Sequence, residues 1–277
     1  MKRAVLLISG VLMSFEFIAA AVQNPAPAPD QSGPAAYPAT MLREDSAAGL
    51  EYWQTLIGNL WIPRPGVYVI KHLQWEQAIQ KVYYHAEVHV RKGDVVIDCG
   101  AHIGGFTKTA LALGASLVVA IEPEPQNIMA FRRNMEAELK SGKVRLVPKG
   151  IFDKPGKLKL HLSESGDAHS VVEPRRGSGD IDIEVVTLDS LLDGLKLNRV
   201  DFIKMDIEGA EQKALKGARL MLTRYKPRLA LSAYHEKGDP AAIASIVWEY
   251  HPEYLVESKD LVLGVEGKLV PKVLFFK

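Results

Sequence analysis

Residues able to do chemistry gather in this chain after short apolar runs. Val95–Thr107 reads V-V-I-D-C-G-A-H-I-G-G-F-T. A β-branched run ends at Asp98, passes through Gly100, Ala101, His102 and Gly104, and enters residues compatible with a helix. Glycines between a strand and a helix let a ligand approach the backbone, at the strand ends where α/β sheets bind nucleotides. A second run, Leu117–Ile121, ends in Glu122. A carboxylate there can accept hydrogen bonds from both hydroxyls of a ribose. Val200–Met205 ends in Asp206, with Glu208 just beyond, and Arg228–Ser232 is followed by His235. Acids and an imidazole past buried strands suit proton removal from an acceptor.

Three readings compete for the glycine turn. Gly100 and Gly105 fit the glycines of a phosphate loop, but Phe106 stands where the loop needs an ammonium. A dinucleotide fingerprint needs a second glycine for close approach of the pyrophosphate, and His102 occupies that place. S-adenosylmethionine has no phosphate. It needs room for an amino-acid tail and an acid for its ribose. Gly100, Ala101 and Gly104 give the room, Asp98 can hold the positively charged tail region directly or through water, and Glu122 can hold the ribose. His102 is expected to pack beside the cofactor.

These residues need strands alternating with helices to bring them to one edge of a sheet. Beyond Val95 the pattern supplies them: strands at Leu117–Ile121, Val144–Val147, Val200–Met205 and Arg228–Ser232, and helices at Gln126–Leu139, Glu211–Leu222 and Pro240–Tyr250. Lys157–Leu162 and Ile181–Val186 alternate as antiparallel or edge strands do, with Ser163–Gly179 as a loop. Tyr254–Val256 and Lys272–Phe276 complete the sheet. Before Val95, the spacing of Leu50, Trp53, Leu56, Ile57 and Leu60 predicts a short helix over Ala47–Leu60, and Gln74–Tyr84 a second, together a small helical cap.

The chain resembles the FkbM-type family of class I S-adenosylmethionine-dependent methyltransferases. The resemblance rests on Val96-Ile97-Asp98-Cys99-Gly100-Ala101-His102-Ile103-Gly104, on Ile121-Glu122-Pro123, on Val186–Leu192, and above all on Val200–Glu211 followed by Leu215-Lys216-Gly217-Ala218. It covers roughly Val95 to His235. It implies an α/β, Rossmann-like seven-stranded sheet with the last strand antiparallel, and methyl transfer, usually to a hydroxyl on a sugar, glycan or secondary metabolite. Methyl transfer from a sulfonium is an in-line displacement, so the protein mainly aligns donor and acceptor. His235 is the expected base, with Asp206 orienting the methionine portion or the acceptor and Glu208 either acting beside them or serving as a helix N-terminal acid. Glu211 reads as a plain helix N-terminal acid. Asp206, Glu208 and His235 are chemically able to bind a divalent ion, but nothing in their spacing demands one, so no metal is expected.

The rest of the chain bounds these expectations. In 277 residues, 34 basic and 33 acidic side chains leave a net charge of +1, which gives no field for nucleic acid. The single cysteine, Cys99, excludes an internal disulfide and reads as a buried, inert thiol. No G-x-S-x-G elbow points to a hydrolase. Residues 1–21 have the layout of a signal peptide or anchor: a basic start, an apolar run from Ala4 to Phe15, then Ala19-Ala20-Ala21. That layout implies an exported, periplasmic or membrane-anchored protein, with possible membrane association through the N-terminus. A true start at Met41 would make it cytoplasmic. Residues 22–46 read as a Pro/Ala-rich linker, 47–90 as the cap and 91–277 as the methyltransferase domain. An exported chain meets no obvious supply of the cofactor, so a non-catalytic binding protein on this fold is the alternative expectation.

Overall fold

The computed structural model describes residues 33–163, 169–172, 179–265 and 267–277. The expected signal segment lies outside the described residues. Among the described residues no helix is long and apolar enough to cross a membrane.

The chain opens with strands β1 (Thr40–Asp45), β2 (Leu50–Gln54) and β3 (Leu60–Pro63), an antiparallel sheet in that order. The expected helix over Ala47–Leu60 is therefore corrected. Leu50 and Trp53 mimic helical spacing, but Leu60 and Ile62 are buried at a spacing of two, the period of a strand. Gly49 and Gly58 adopt positive φ, and the Gly58 N–H closes a turn on Thr55, which ends any helix there. Helix α1 (Val67–Gln74) follows and runs on as a π-helical turn over Trp75–Gln80, closed by Lys81 in the left-handed region. The cap is thus a small sheet plus one helix, rather than helices alone.

The main sheet begins at β4 (Val95–Cys99) and continues, after α2 (Gly105–Ala112), with β5 (Leu117–Ile121). The helix expected over Gln126–Leu139 is two, α3 (Pro125–Asn134) and α4 (Glu136–Ser141), broken at Met135. After β6 (Val144–Val147), strands β7 (Gly150–Ile151), β8 (Gly156–Leu162) and β9 (Gly179–Val186) form a separate sheet. Helix α5 (Leu188–Gly194), capped by the Thr187 hydroxyl, leads to β10 (Phe202–Met205). Next come α6 (Glu211–Lys216), α7 (Arg219–Tyr225), β11 (Arg228–Ser232) and α8 (Asp239–Tyr250). A hairpin of β12 (Val256–Leu263) and β13 (Leu269–Phe276) ends the chain.

The seven-stranded sheet has the order β12-β13-β11-β10-β4-β5-β6. β13, the last strand in sequence, is antiparallel to both its neighbours. The strands from β11 to β6 pair in parallel. Helices cover both faces. One face packs Ile97, Ile203, Leu229 and Phe276 against α6, α7 and α8, and the other packs Val96, Val118, Phe202 and Phe275 against Phe106 and Phe131. Strands buried on both faces explain the near-continuous apolar runs. The cap contributes Leu50, Leu60, Ile62, Val69 and Ile70 to a third cluster that includes Ile103 of the glycine turn. Asn134 ties the two parts together, its amide donating to the carbonyls of Trp61 and Ile103 and accepting from the Trp61 N–H.

Candidate active site

At the end of β4 the chain reverses through Gly100. The N–H groups of Gly100 and Ala101 both donate to the Ile121 carbonyl (3.0 and 2.9 Å), and the Gly104 N–H donates to Ala101 (2.8 Å). Gly100 has φ +77°, and a Cβ there would sit 1.9 Å from the Asp206 carbonyl oxygen. The chain leaving β4 and the chain leaving its parallel neighbour β10 touch at that point, so only glycine fits. Gly100→Ala is expected to cost about 2–4 kcal/mol of stability, by left-handed strain plus overpacking. A urea titration followed by circular dichroism checks it.

Glu122 closes the turn from below. One carboxylate oxygen accepts from the His102 N–H (2.8 Å) and the other from the Glu124 N–H (3.0 Å). Burial pushes its carboxyl up to about 7, although both hydrogen bonds pull the other way. His102 itself adopts φ +51°.

Asp98 is fully buried and accepts a hydrogen bond from the Thr107 hydroxyl (2.7 Å). Its charge partner is Lys204 of β10, whose ammonium lies 3.4 Å away and also donates to the carbonyls of Cys99 (3.2 Å) and Gly100 (2.8 Å). Burial works against the Lys204 proton, but Asp98 and then Asp206 outweigh it and raise its pKa. Burial drives the Cys99 thiol far up, in keeping with an inert core cysteine.

Beyond β10, the backbone folds over a buried acid. Glu211 accepts hydrogen bonds from the N–H groups of Ile207 (2.8 Å) and Gly209 (3.0 Å), and its Oε1 lies 3.0 Å from His235 Nδ1. It is wholly buried, in the first turn of α6. The other ring nitrogen of His235 stands 3.6 Å from Asp206 and 3.6 Å from Glu208. Burial disfavours the imidazolium, yet Glu211, Glu208 and Asp206 together lift its pKa to about 10. His235 therefore carries its proton at neutral pH, and the expectation of a basic imidazole meets a buried cation instead. Asp206 accepts from the Tyr83 hydroxyl (2.6 Å). Against the effect of burial, Lys204 and then His235 hold its carboxyl at about 2. Asp206, Glu211 and His235 come within metal-ligand reach of one another. Glu211, however, is engaged with two backbone N–H groups and the imidazole.

A cavity of about 490 Å³ opens over these strand ends. Gly100, Ala101, His102, Glu122, Asp206 and Glu208 line it, which brings together six of the nine residues predicted from sequence. The other three stand behind the wall. Asp98 is held by Lys204 and Thr107, Gly104 packs on Phe131 and Met135, and His235 sits beneath the acids. Residues missed in the sequence also contribute. Lys204 carried a signal, a lysine inside an otherwise apolar strand. Tyr83, Trp75, Glu76 and Gln77 of the cap line the cavity and carried none, because their places depend on how the cap docks.

The model of the methyltransferase FkbM domain matches residues 98–260. The chain belongs to the FkbM methyltransferase family. Its 2-O-methyltransferase relative NoeI, from Sinorhizobium fredii (strain NBRC 101917 / NGR234), is 28% identical over 160 residues, covering 52% of this chain and 64% of NoeI. Methyltransferase 1 of Beauveria bassiana (strain ARSEF 2860) is 25% identical over 192 residues, covering 62% of this chain and 73% of that protein. The crystal structure of methyltransferase FkbM from Methylobacillus flagellatus KT superposes with a TM-score of 0.53 at 23% identity, over 71% of this chain and 47% of that one. The chain thus spans less than two thirds of NoeI and of that crystal structure. The superposition establishes the FkbM fold. The FkbM match begins at Asp98, so the cap residues on the cavity wall lie outside it.

Proposed function

We propose that this FkbM family member transfers a methyl group from S-adenosylmethionine to a hydroxyl of a sugar, glycan or secondary metabolite. The observation that carries the reading is the convergence, in one cavity, of the glycine turn, Glu122 and the acids Asp206 and Glu208. The donor set fits the cofactor. Glu122 offers a buried carboxylate to a pair of hydroxyls, the turn presents no lysine for phosphate, and an acidic wall favours a sulfonium cation. NoeI, named as a 2-O-methyltransferase, supports a hydroxyl acceptor.

Bound S-adenosylmethionine supplies a methyl on sulfur, whose S–C bond breaks as the acceptor oxygen forms its C–O bond, leaving S-adenosylhomocysteine. The chain's own part is alignment and removal of the acceptor proton. Asp206, held near 2, is a weak base and serves to orient the acceptor. Glu208 lines the cavity beside it and takes the proton. His235 and Glu211 fix both acids by charge and by the backbone they hold.

Calorimetry with S-adenosylhomocysteine tests the cofactor half. The ionised form of Glu122 is the one that accepts from both ribose hydroxyls. Affinity should therefore rise with pH, approaching tenfold per unit below about 7, and level off above it. Glu122→Gln should flatten that profile. The unliganded protein should respond in the opposite sense. Between the ordinary carboxylate pKa of 4.5 and about 7, folded Glu122 holds a proton the unfolded chain has lost, so stability declines as pH rises through that window. Absence of S-adenosylhomocysteine binding at every pH would sink the reading.

A further inference from the structure

The cavity reaches from Glu122, beyond β5, to Lys272 on β13. These strands are four spacings apart in the sheet, or about 19 Å at the usual strand separation. The glycine turn and Glu122 occupy one end. The other end is walled by the π-helical turn of the cap. There Glu76 pairs with Lys272 (2.7 Å), and both line the cavity. Gln77 is 8% exposed and lines the cavity.

A strip of rings leads from this end to the surface. Tyr68, His72 and Trp75 fall at i, i+4 and i+7, one face of α1 carried into the π-turn. Their centroids are 4.4 Å apart for Tyr68–His72 and 6.2 Å for His72–Trp75. His72 and Trp75 line the cavity, while Tyr68, 58% exposed, lies outside it. A small acceptor would fill the cavity and leave Tyr68 unused. A lipid tail would gain nothing from a carboxylate, an ammonium and an amide at the strip's inner end. A sugar chain uses both parts. Each pyranose has an apolar C–H face suited to the negative face of an aromatic ring, and a rim of hydroxyls suited to Glu76, Gln77 and Lys272.

We infer that the acceptor is the end of an oligosaccharide chain, with its terminal unit against Glu76, Gln77 and Lys272 and the following units along Trp75, His72 and Tyr68. The inference rests on the proposed methyl transfer for what happens at the inner unit, but binding alone can test it.

The full chain, loaded with S-adenosylhomocysteine, is titrated with cello-, chito- and malto-oligosaccharides of two and six units, with protein fluorescence and calorimetry as readouts. At least one hexasaccharide should bind more tightly than its disaccharide. Tyr68→Ala, a change at an exposed side chain, should weaken that hexasaccharide roughly two- to tenfold, the effect of one aromatic contact. The disaccharide and S-adenosylhomocysteine affinities should stay unchanged. Failure of all three hexasaccharides to bind the loaded protein would overturn the inference, as would affinity independent of chain length or a Tyr68→Ala variant that binds as tightly. Failure of S-adenosylhomocysteine itself to bind would instead overturn the proposed function.

Discussion

Lys204→Met should lower the unfolding free energy by about 3–5 kcal/mol, the usual cost of stranding one partner of a buried ion pair. Methionine nearly matches the lysine stem in volume, so a cavity contributes little. The loss comes from Asp98, which is fully buried and would keep only the Thr107 hydroxyl, and from the Cys99 and Gly100 carbonyls that lose a charged donor. The double variant Lys204→Met/Asp98→Asn should recover a large part of the loss, because the uncompensated charge goes with the second change. Denaturant unfolding of the two variants beside the parent gives both numbers. A single-variant loss below about 1 kcal/mol would mean that the pair does not hold the glycine turn.

Glu208→Gln should lower kcat for methyl transfer by about 10²–10⁴-fold while leaving the affinity for S-adenosylhomocysteine unchanged, the pattern of a lost general base. The two acids on the wall differ in what surrounds them. Asp206 accepts from Tyr83 and lies near both Lys204 and His235, which hold it ionised and weakly basic. Glu208 stands on a left-handed residue just before Gly209, turned toward the cavity and 3.6 Å from the imidazolium. Asp206→Asn should act differently, raising KM along with its effect on kcat, since it alters orientation of the acceptor. Single-turnover assays on the two variants with one accepted substrate separate these outcomes. Unchanged turnover in Glu208→Gln would remove it as the base.

Local sequence sufficed where chemistry and neighbours coincide along the chain. The alternation of apolar runs and helices, the glycine turn after Val95-Val96-Ile97 and the acid after Leu117–Ile121 are fixed within a few residues of one another, and the sheet follows them. The helical spacing of Leu50, Trp53, Leu56, Ile57 and Leu60 misled because it runs across two separate strands and the turn at Gly58 that joins them, so the apparent period belongs to no single element. The splits at Met135 and Gly217 are end effects that an apolar period does not reveal.

His235 shows most clearly where the sequence stops being enough. Its position after β11 and its ordinary titration range near neutrality both suggest a base, and its place beside the acids of β10 was legible. Its charge was not. That depends on Glu211, Glu208 and Asp206 arriving on three sides of one ring, and Glu211 does so only because the turn after β10 wraps its carboxylate. Asp98 and Lys204 repeat the point, since residues 106 apart in sequence become one buried pair through β4–β10 register. By itself the sequence determined the family, the sheet and which acids stand at its edge, because these follow from short-range pattern. The tertiary structure alone decided which of those groups face the cavity, which serve as their counter-charges, and how the cap walls the cavity's far end. Protonation and exposure depend on groups that meet only when distant segments pack.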